Sequence, residues 1–316
     1  MRQIHSKSFS SVGQEVKQQK KKTGGVIGFL RRDFPGWLLL IPAIILFYYT
    51  VWRPIAVSIG FSFFSLRGFD PVKFVGLKNY TDVISDTSFI KILLNSFSYV
   101  LWSLIIGFPL PFIVAVLLNE LVVTKNAFKI SVYIPSIIPG IATYMIWTYF
   151  LAPDNTGVLN IFLSFFGIGQ VEWLQNTALT IPMLVIASTW QGFGATAIIY
   201  LASLQGINKE LYEAVRIDGG GVWRRFTTVL LPHMKNMLLL MGVRQIITVF
   251  QSMEMPLVMT GGGPNGASNT LALQSYRYAF EFGQIDKGIT LGVITFVILV
   301  VMTLGYVWLD KKLGEE

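Results

Sequence analysis

The 316-residue sequence contains no cysteine and only two histidines, and both shortages exclude kinds of chemistry. Without a thiol the chain has no disulfide, no thiolate metal site and no cysteine nucleophile. His5 and His233 stand far apart and alone, so we predict no metal site and no catalytic residues. A GxxxxGK[ST] nucleotide-binding loop is also missing, so we expect the chain not to be an enzyme that hydrolyses ATP.

Charged residues are scarce, at 13% of the chain, whereas hydrophobic residues reach 53%. Soluble domains carry about 25% charged residues, so this composition is typical of a membrane protein. Six segments have the roughly 20 apolar residues that a bilayer-spanning helix needs. They lie at about 36–63, between Lys91 and Glu120, between Lys129 and Asp154, at about 179–204, at 234–259, and between Lys287 and Asp310. The apolar stretch 158–168 is too short to span and predicts a re-entrant or surface helix. The sequence therefore predicts an all-α integral membrane fold with six transmembrane helices.

Lysine and arginine are unevenly divided between the two sets of loops. Of 25 such residues, 17 belong to the two termini and to the second and fourth loops between spans, and 6 belong to the first, third and fifth loops. The other two, Arg53 and Arg244, lie inside spans. Cytoplasmic loops are the ones enriched in these residues, so we expect both termini to be cytoplasmic. The net charge of +8 then reflects topology and contact with anionic membrane lipid, and we expect no nucleic-acid partner. The predicted divisions are a basic cytoplasmic tail (1–35), a six-span domain (36–312) and a tail end (313–316).

A spaced motif occupies the polar loop 205–232, between the fourth and fifth segments. It reads Glu213-Ala214-Val215, three residues, Gly219, nine residues, Val229, one residue, Leu231-Pro232. Glu213 and Ala214 favour a short helix. Glycines 219–221 permit a positive φ and close backbone approach, and Pro232 is suited to a helix start. The loop therefore predicts a short cytoplasmic helix that presents itself to another protein.

This motif resembles the coupling loop of ABC-importer permeases, with Val215 in place of the second alanine. Five weaker matches fit this family in their order and spacing along the chain. They are Phe74-Val75-Gly76-Leu77-Lys78-Asn79-Tyr80, Trp190-Gln191-Gly192-Phe193, Leu204-Gln205-Gly206-Ile207, Thr260-Gly261-Gly262-Gly263-Pro264 and Ala279-Phe280. Together they resemble the carbohydrate-uptake branch, of the maltose or glycerol-phosphate type, and its first permease subunit.

The resemblance implies an assembly. Its parts are a second permease subunit in a heterodimer, two cytoplasmic ATP-binding subunits that would hold ATP and Mg, and an external solute-binding protein. It also implies a bacterial or archaeal-type cytoplasmic membrane and no cofactor bound by this chain. The coupling residues that it assigns are Glu213, Ala214, Val215, Asp218, Gly219, Leu231 and Pro232.

Polar residues at membrane depth point to a solute path. Arg244, Thr248, Gln251 and Ser252 follow helical spacing in the fifth segment, and such residues must face protein or water. Interhelical hydrogen bonds, or pairing of Arg244 with a carboxylate, are the alternative explanations. Gly192 and Gly194 allow either close helix packing or a local backbone break. The resemblance assigns the path to Gln191, Gly192, Ala195, Gln251 and Ser252, although Ala195 replaces an expected tyrosine.

Amide and hydroxyl side chains both donate and accept hydrogen bonds, as sugar hydroxyls require. We therefore expect a permease subunit for a sugar or oligosaccharide. Arg53 and Arg244 leave open a sugar-acid or glycerol-phosphate-like solute. A secondary transporter and a polytopic membrane enzyme remain as further alternatives, opposed respectively by the coupling motif and by the absence of clustered His, Asp and Glu.

Overall fold

The computed structural model describes residues 26–121 and 125–314, so the predicted tail residues 1–25 and 315–316 lie outside the described part. The chain divides after Val57 into two compact units, which are described separately. The described chain is mostly helical. Its elements, in order, are α1 (Val26–Phe47), a π-helical turn (Tyr48–Trp52), α2 (Arg53–Phe61), β1 (Phe64–Arg67), β2 (Asp70–Phe74), α3 (Lys78–Ile84), α4 (Phe89–Trp102), a π-helical turn (Ser103–Gly107), α5 (Pro109–Glu120), α6 (Lys125–Ile137), α7 (Gly140–Phe150), α8 (Val158–Ser164), α9 (Thr177–Gln205), α10 (Lys209–Ile217), α11 (Val222–Arg225), a π-helical turn (Phe226–Leu230), α12 (Leu231–Phe250), α13 (Glu254–Thr260), α14 (Leu271–Tyr276), a π-helical turn (Arg277–Glu281) and α15 (Ile285–Gly314).

Five described helical stretches are long and apolar enough to cross a membrane, and a bent helix pair adds a sixth if it counts as one span. The five are Leu38–Phe61, Phe89–Glu120, Thr177–Gln205, Val222–Phe250 and Ile285–Trp308. Each predicted segment falls on one of these stretches or on the bent pair. The prediction of a helical multi-pass membrane fold is confirmed.

The third predicted span is not one straight helix. Helices α6 and α7 meet at an angle of 94° around Ile138 and Pro139. A residue before proline is sterically pushed away from helical geometry, and proline cannot donate the hydrogen bond that would continue α6. Pro139 itself takes an extended ψ of 138° and is the N-cap residue before α7. The two prolines of this segment, Pro135 and Pro139, account for the bend.

Three π-helical turns each end two residues before a proline. The backbone N–H of Arg53, Phe108 and Leu231 bonds the carbonyl five residues back, at Tyr48, Ser103 and Phe226 respectively. A proline lacks an N–H and its ring crowds the carbonyl four residues earlier. The wider turn relieves this crowding at Pro54, Pro109 and Pro232. Pro232 is the second residue of α12, as predicted for a helix start, although the continuous helical stretch already begins at Val222.

The fifth predicted span is interrupted after Phe250. Helix α12 ends at Phe250, and residues 251–253 are not helical before α13 starts at Glu254. The Thr270 hydroxyl donates to the Ser252 carbonyl at 2.9 Å and so satisfies an acceptor freed by the break. The Gly-Gly-Gly-Pro segment follows α13 as predicted, with Gly261 in the left-handed region at φ 55°.

A two-stranded hairpin, β1 with β2, lies in the loop after the first span, where the sequence predicted no strand. The Phe74-to-Tyr80 motif holds it in place. The buried Asn79 amide donates to the carbonyls of Ser62 and Phe64, at 3.0 and 2.8 Å, and the Tyr80 hydroxyl lies 2.7 Å from Ser62 Oγ. The stretch 158–168 forms a short helix, α8, as predicted.

Helix α9 lies at the centre of the second unit and packs closely on α6. At Gly194 an added Cβ would lie 2.7 Å from the Val132 carbonyl carbon and 3.1 Å from Tyr133 Cα, both backbone atoms of α6. At Gly192 the same atom would meet nothing within 4 Å. Of the two explanations left open for these glycines, close packing therefore applies to Gly194.

Candidate functional site

A central cavity of about 330 Å³ lies among α4, α5, α6, α7, α9, α12 and α13. Its walls contain hydroxyl, amide and apolar groups, and one charged side chain. The lining residues that carry polar side-chain groups are Tyr99, Ser136, Tyr144, Ser188, Thr189, Gln191, Thr196, Arg244, Gln245, Thr248 and Ser252. A cavity that is mixed in polarity, lies between broken helices and sits at membrane depth is a typical solute site of transporters.

Ser136, at the end of α6, bridges to a helical turn of α9. Its hydroxyl donates to the Gln191 carbonyl at 2.9 Å and accepts from the Ala195 N–H at 3.2 Å. These two groups are the ones that would bond each other in a regular helix. A side chain inserted in this way is a known cause of local helix distortion. Three of the predicted path residues, Gln191, Gly192 and Ala195, therefore lie in the turn of α9 that Ser136 contacts, and all three line the cavity.

The predicted stripe on the fifth span is only partly formed. Arg244, Thr248 and Ser252 line the central cavity. Gln251 instead lines a separate cavity with Ser275 and Thr295. The prediction that all four residues share one face is wrong for Gln251, because α12 ends one residue earlier and the chain turns there.

The aromatic residues near the cavity differ in role. Phe193 lines it, whereas Phe250 is fully buried against Phe97, with ring centroids 5.4 Å apart. Trp190 packs edge-on against Trp147 at 6.1 Å. Of these residues, Phe193 is the one placed to cover an apolar face of a molecule in the cavity.

A second cavity of about 450 Å³ lies between α4 and α9. We name it the outer cavity, because the topology predicted from the basic residues puts this end of the spans outside. Helix α4 contributes Lys91, Asn95, Ser98 and Trp102, and α9 contributes residues of its first turns. The lining of α9 moves from Pro182 in the outer cavity to Val185 in the central one. At 1.5 Å per residue these positions differ by about 4.5 Å along the helix, so the cavities are neighbours along α9.

The Gly-Gly-Gly-Pro loop is fastened to one face of α4. Lys91, Asn95 and Tyr99 are four residues apart and share that face. Lys91 donates to the Asn265 carbonyl, Asn95 to the carbonyls of Gly266 and Asn269, and Tyr99 to the Ser268 carbonyl. The loop is thereby held against α4, and its Ala267 lines the outer cavity.

Asp86 forms a polar link between two connecting segments. Its carboxylate accepts from the Ser88 N–H and hydroxyl and from the Tyr278 hydroxyl, at 2.9, 2.7 and 2.7 Å. Burial raises the pKa of Asp86, but these hydrogen bonds and the charge of Lys287 outweigh it and leave the pKa below its usual value. Burial, and then the bond to Asp86, raise the pKa of Tyr278 to about 12. The link joins the loop before α4 to the turn before α15.

The loop 205–232 forms a compact helical protrusion. Helix α10 is capped at its start by Asn208, whose side chain accepts from the Glu210 N–H. At its end the Gly219 N–H bonds the Arg216 carbonyl and the Gly220 N–H bonds the Val215 carbonyl, with Gly219 at φ 72°. This pair of hydrogen bonds is the Schellman motif, which needs a residue in the left-handed conformation at position 219. The predicted short helix and positive φ are therefore present.

Gly220 and Gly221 do not share the conformation of Gly219. Gly221 is extended, with φ −72°, and Gly220 is required for space, because an added Cβ would lie 2.5 Å from Val215 Cγ1. On the two sides of the turn, the apolar residues Ile217, Val222 and Trp223 are 86%, 74% and 75% exposed. Of the predicted coupling residues, Glu213, Ala214, Asp218, Gly219, Leu231 and Pro232 are also exposed, and Val215 is half-buried. An exposed apolar cluster on a polar loop is the kind of surface that a protein partner covers.

Burial and the nearby Glu120 raise the pKa of the Tyr212 hydroxyl, on α10, while Arg225 lowers it. No cluster of three His, Cys, Asp or Glu residues suited to a metal ion occurs within residues 26–121 and 125–314.

Comparison with known proteins gives consistent matches. A family model described as "Binding-protein-dependent transport system inner membrane component" matches residues 83–315. The chain is 30% identical to the probable ABC transporter permease protein YurN of Bacillus subtilis (strain 168), over 89% of this chain and 97% of that one. It is also 30% identical to the trehalose/maltose transport system permease protein MalF of Thermococcus litoralis (strain ATCC 51850 / DSM 5473 / JCM 8560 / NS-C), over 86% and 92%.

Among solved structures, the chain matches one chain of a bacterial alginate ABC transporter in complex with an alginate pentasaccharide-bound periplasmic protein. The TM-score is 0.79 at 22% identity, and the match covers 92% of this chain and 98% of that chain. At this identity the likeness establishes a shared fold.

Proposed function

The chain belongs to the family of binding-protein-dependent transport system inner membrane components, and we propose that it is one permease subunit of an ATP-driven importer for a sugar or oligosaccharide. Two relatives support the solute class by their names, which refer to trehalose and maltose in one case and to alginate in the other. The central cavity supports it independently, because its walls offer amide and hydroxyl groups that match the donors and acceptors of sugar hydroxyls.

Membership of this family supports the proposed partners. A second permease subunit completes the path, and an external binding protein delivers the solute. Two ATP-binding subunits hold ATP and Mg on the cytoplasmic side, so this chain itself is not an enzyme. The complex lies in a bacterial or archaeal-type cytoplasmic membrane with both termini of this chain in the cytoplasm, as the excess of basic residues in one set of loops supports.

The coupling role is assigned to α10 and the turn that follows it. Glu213, Ala214, Val215, Asp218 and Gly219 form this protrusion, and Leu231 and Pro232 belong to the helix that carries its motion into the membrane. The exposed Ile217, Val222 and Trp223 supply apolar area for a groove on an ATP-binding subunit. Movement of a rigid protrusion can drive rigid-body changes of the spans to which it is joined.

The central cavity is the main observation behind the proposed function, and two matched substitutions test whether it is the solute path. Gln191→Leu removes an amide from the central cavity, whereas Gln251→Leu makes the same change in the separate cavity. We expect uptake per assembled complex to fall at least tenfold in Gln191→Leu and to change less than twofold in Gln251→Leu. A melting curve of each complex serves as the control, because the Gln191 amide also donates to the Ile138 carbonyl at 3.4 Å. Unchanged uptake in Gln191→Leu would refute the assignment of the central cavity, and equal loss in both would extend the path to Gln251.

A further inference from the structure

Arg244 is the one charged side chain in the lining of the central cavity. It is exposed toward that space and makes no ion pair or hydrogen bond within the described part of the chain. The nearest acidic residue along the sequence, Glu254, lies against Gly140 at the start of α7 and does not line the cavity. The arginine therefore faces the cavity with its charge uncompensated.

An unpaired guanidinium at membrane depth is costly, because the membrane offers little solvation for the charge. Such arginines are retained where they pair with another group or bind a ligand. The guanidinium presents five N–H donors in a planar fork, which fits a carboxylate through two parallel hydrogen bonds. The surrounding Gln245 and Thr248 add neutral donors and acceptors for hydroxyl groups.

The outer cavity repeats this charge pattern. Lys91 is its one charged lining residue, and no aspartate or glutamate lines either cavity. Asn95 lies one helical turn from Lys91, and Trp102 lines the same cavity about 16 Å further along α4, so the cavity also contains an amide and an aromatic ring. Because the two cavities are neighbours along α9, a solute that passes through both meets two positive charges in sequence. A cleft lined by charge of one sign raises the local concentration of oppositely charged solutes.

We propose that the solute is an anionic carbohydrate, a sugar bearing a carboxylate, which Lys91 attracts at the outer cavity and Arg244 binds in the central one. This inference rests on the proposed function, since it names the class of sugar that the path accepts. The planar fork of Arg244 favours a carboxylate such as that of a uronate, and the hydroxyl and amide groups around it bind the ring.

The test uses the complete importer in vesicles, with its own ATP-binding subunits and binding protein. The probes are a glucose disaccharide and the matching disaccharide in which one C6 is oxidised to a carboxylate. The variants are Arg244→Gln, Arg244→Lys and Lys91→Gln, and Lys235→Gln on the same helix as Arg244 is the matched control, because it lines neither cavity. A charge-assisted hydrogen bond is worth enough for a tenfold to hundredfold effect, at about 1.4 kcal/mol per tenfold.

We expect Arg244→Gln to reduce uronate uptake about tenfold or more while uptake of the neutral disaccharide changes less than twofold. Arg244→Lys should recover part of the loss, Lys91→Gln should reduce the initial rate of uronate uptake, and Lys235→Gln should alter neither probe. If the binding protein delivers the uronate alone, the contrast of Arg244→Gln with Arg244→Lys and Lys235→Gln decides the question.

Three results would overturn the inference. One is delivery of neutral sugar alone, which would leave the proposed function intact. Another is equal loss of both probes in Arg244→Gln together with a lower yield of assembled complex, which would show that Arg244 pairs with a carboxylate of the second permease. The third is unchanged uronate uptake in that variant. Failure of the complex to transport either probe or any other sugar would instead count against the proposed function.

Discussion

Adding a single methyl group at Gly194 should test whether α9 packs closely against α6 at this position. In Gly194→Ala the new Cβ would fall 2.7 Å from the Val132 carbonyl carbon, where ordinary contact needs 3.4 Å or more. The obstructing atoms belong to the α6 backbone and cannot rotate away, so α6 and α9 must move apart by about 1 Å. Overpacking of this kind costs about 1–3 kcal/mol. Alanine returns about 1 kcal/mol through its better helix propensity, so we expect a net destabilisation of up to about 2 kcal/mol.

Gly192→Ala is the matched control on the same helix. It gains the same helix propensity but meets nothing within 4 Å, so its stability should stay equal or rise by up to about 1 kcal/mol. The assay is thermal unfolding of the purified complex, in which roughly 2–4 °C corresponds to 1 kcal/mol for a domain of 150–250 residues. A melting temperature of Gly194→Ala equal to or above that of Gly192→Ala would refute the close contact of α6 with α9.

Three further predictions concern the loops. Gly219→Val should leave the complex assembled but reduce transport per ATP hydrolysed, because valine is strained at φ 72°. Gly221→Val is the control and should couple normally, because Gly221 has φ −72°. Equal behaviour of the two variants would exclude the Schellman turn as the cause. A tag after Pro153 should be labelled from outside intact cells and one after Gly220 from inside only, and external labelling at Gly220 would reverse the orientation. The folded-state pKa of Asp86 is lowered, so the contribution of Asp86 to stability is present above about pH 4 and is lost as the pH falls through that pKa. The stability difference between the unmodified protein and Asp86→Asn should therefore shrink below about pH 4. A constant difference would contradict the link to Tyr278.

The sequence predicted the helical segments and the protruding loop because both depend on local patterns. Long apolar runs have few alternatives to a membrane helix, and Gly219 occupies a turn whose conformation glycine favours. The spacing of the coupling motif placed α10 and its end to within a few residues.

The breaks within spans were not predicted, because hydropathy does not register them. The bend at Pro139 and the end of α12 at Phe250 interrupt apolar stretches without changing their average polarity. A helical wheel drawn through residue 251 therefore placed Gln251 on the wrong face. The prolines of the third span were a signal that could have located its bend.

The bridge from Ser136 to α9 and the contact at Gly194 depend on tertiary structure. The partners in each case are more than fifty residues apart in the chain, and neither residue type specifies its partner. The sequence did not predict the outer cavity for the same reason. In the sequence, Lys91 indicates only the end of a span, whereas in the structure it lines the cavity and donates a hydrogen bond to the Gly-Gly-Gly-Pro loop at Asn265.

The most direct test of the account is uptake into sealed vesicles that contain the complete complex, with ATP inside and the sugar-loaded binding protein outside. We predict accumulation of the sugar that requires ATP hydrolysis and the binding protein and that persists when proton and sodium gradients are collapsed. Accumulation that is driven by such a gradient and proceeds without ATP hydrolysis would contradict the account and identify a secondary transporter.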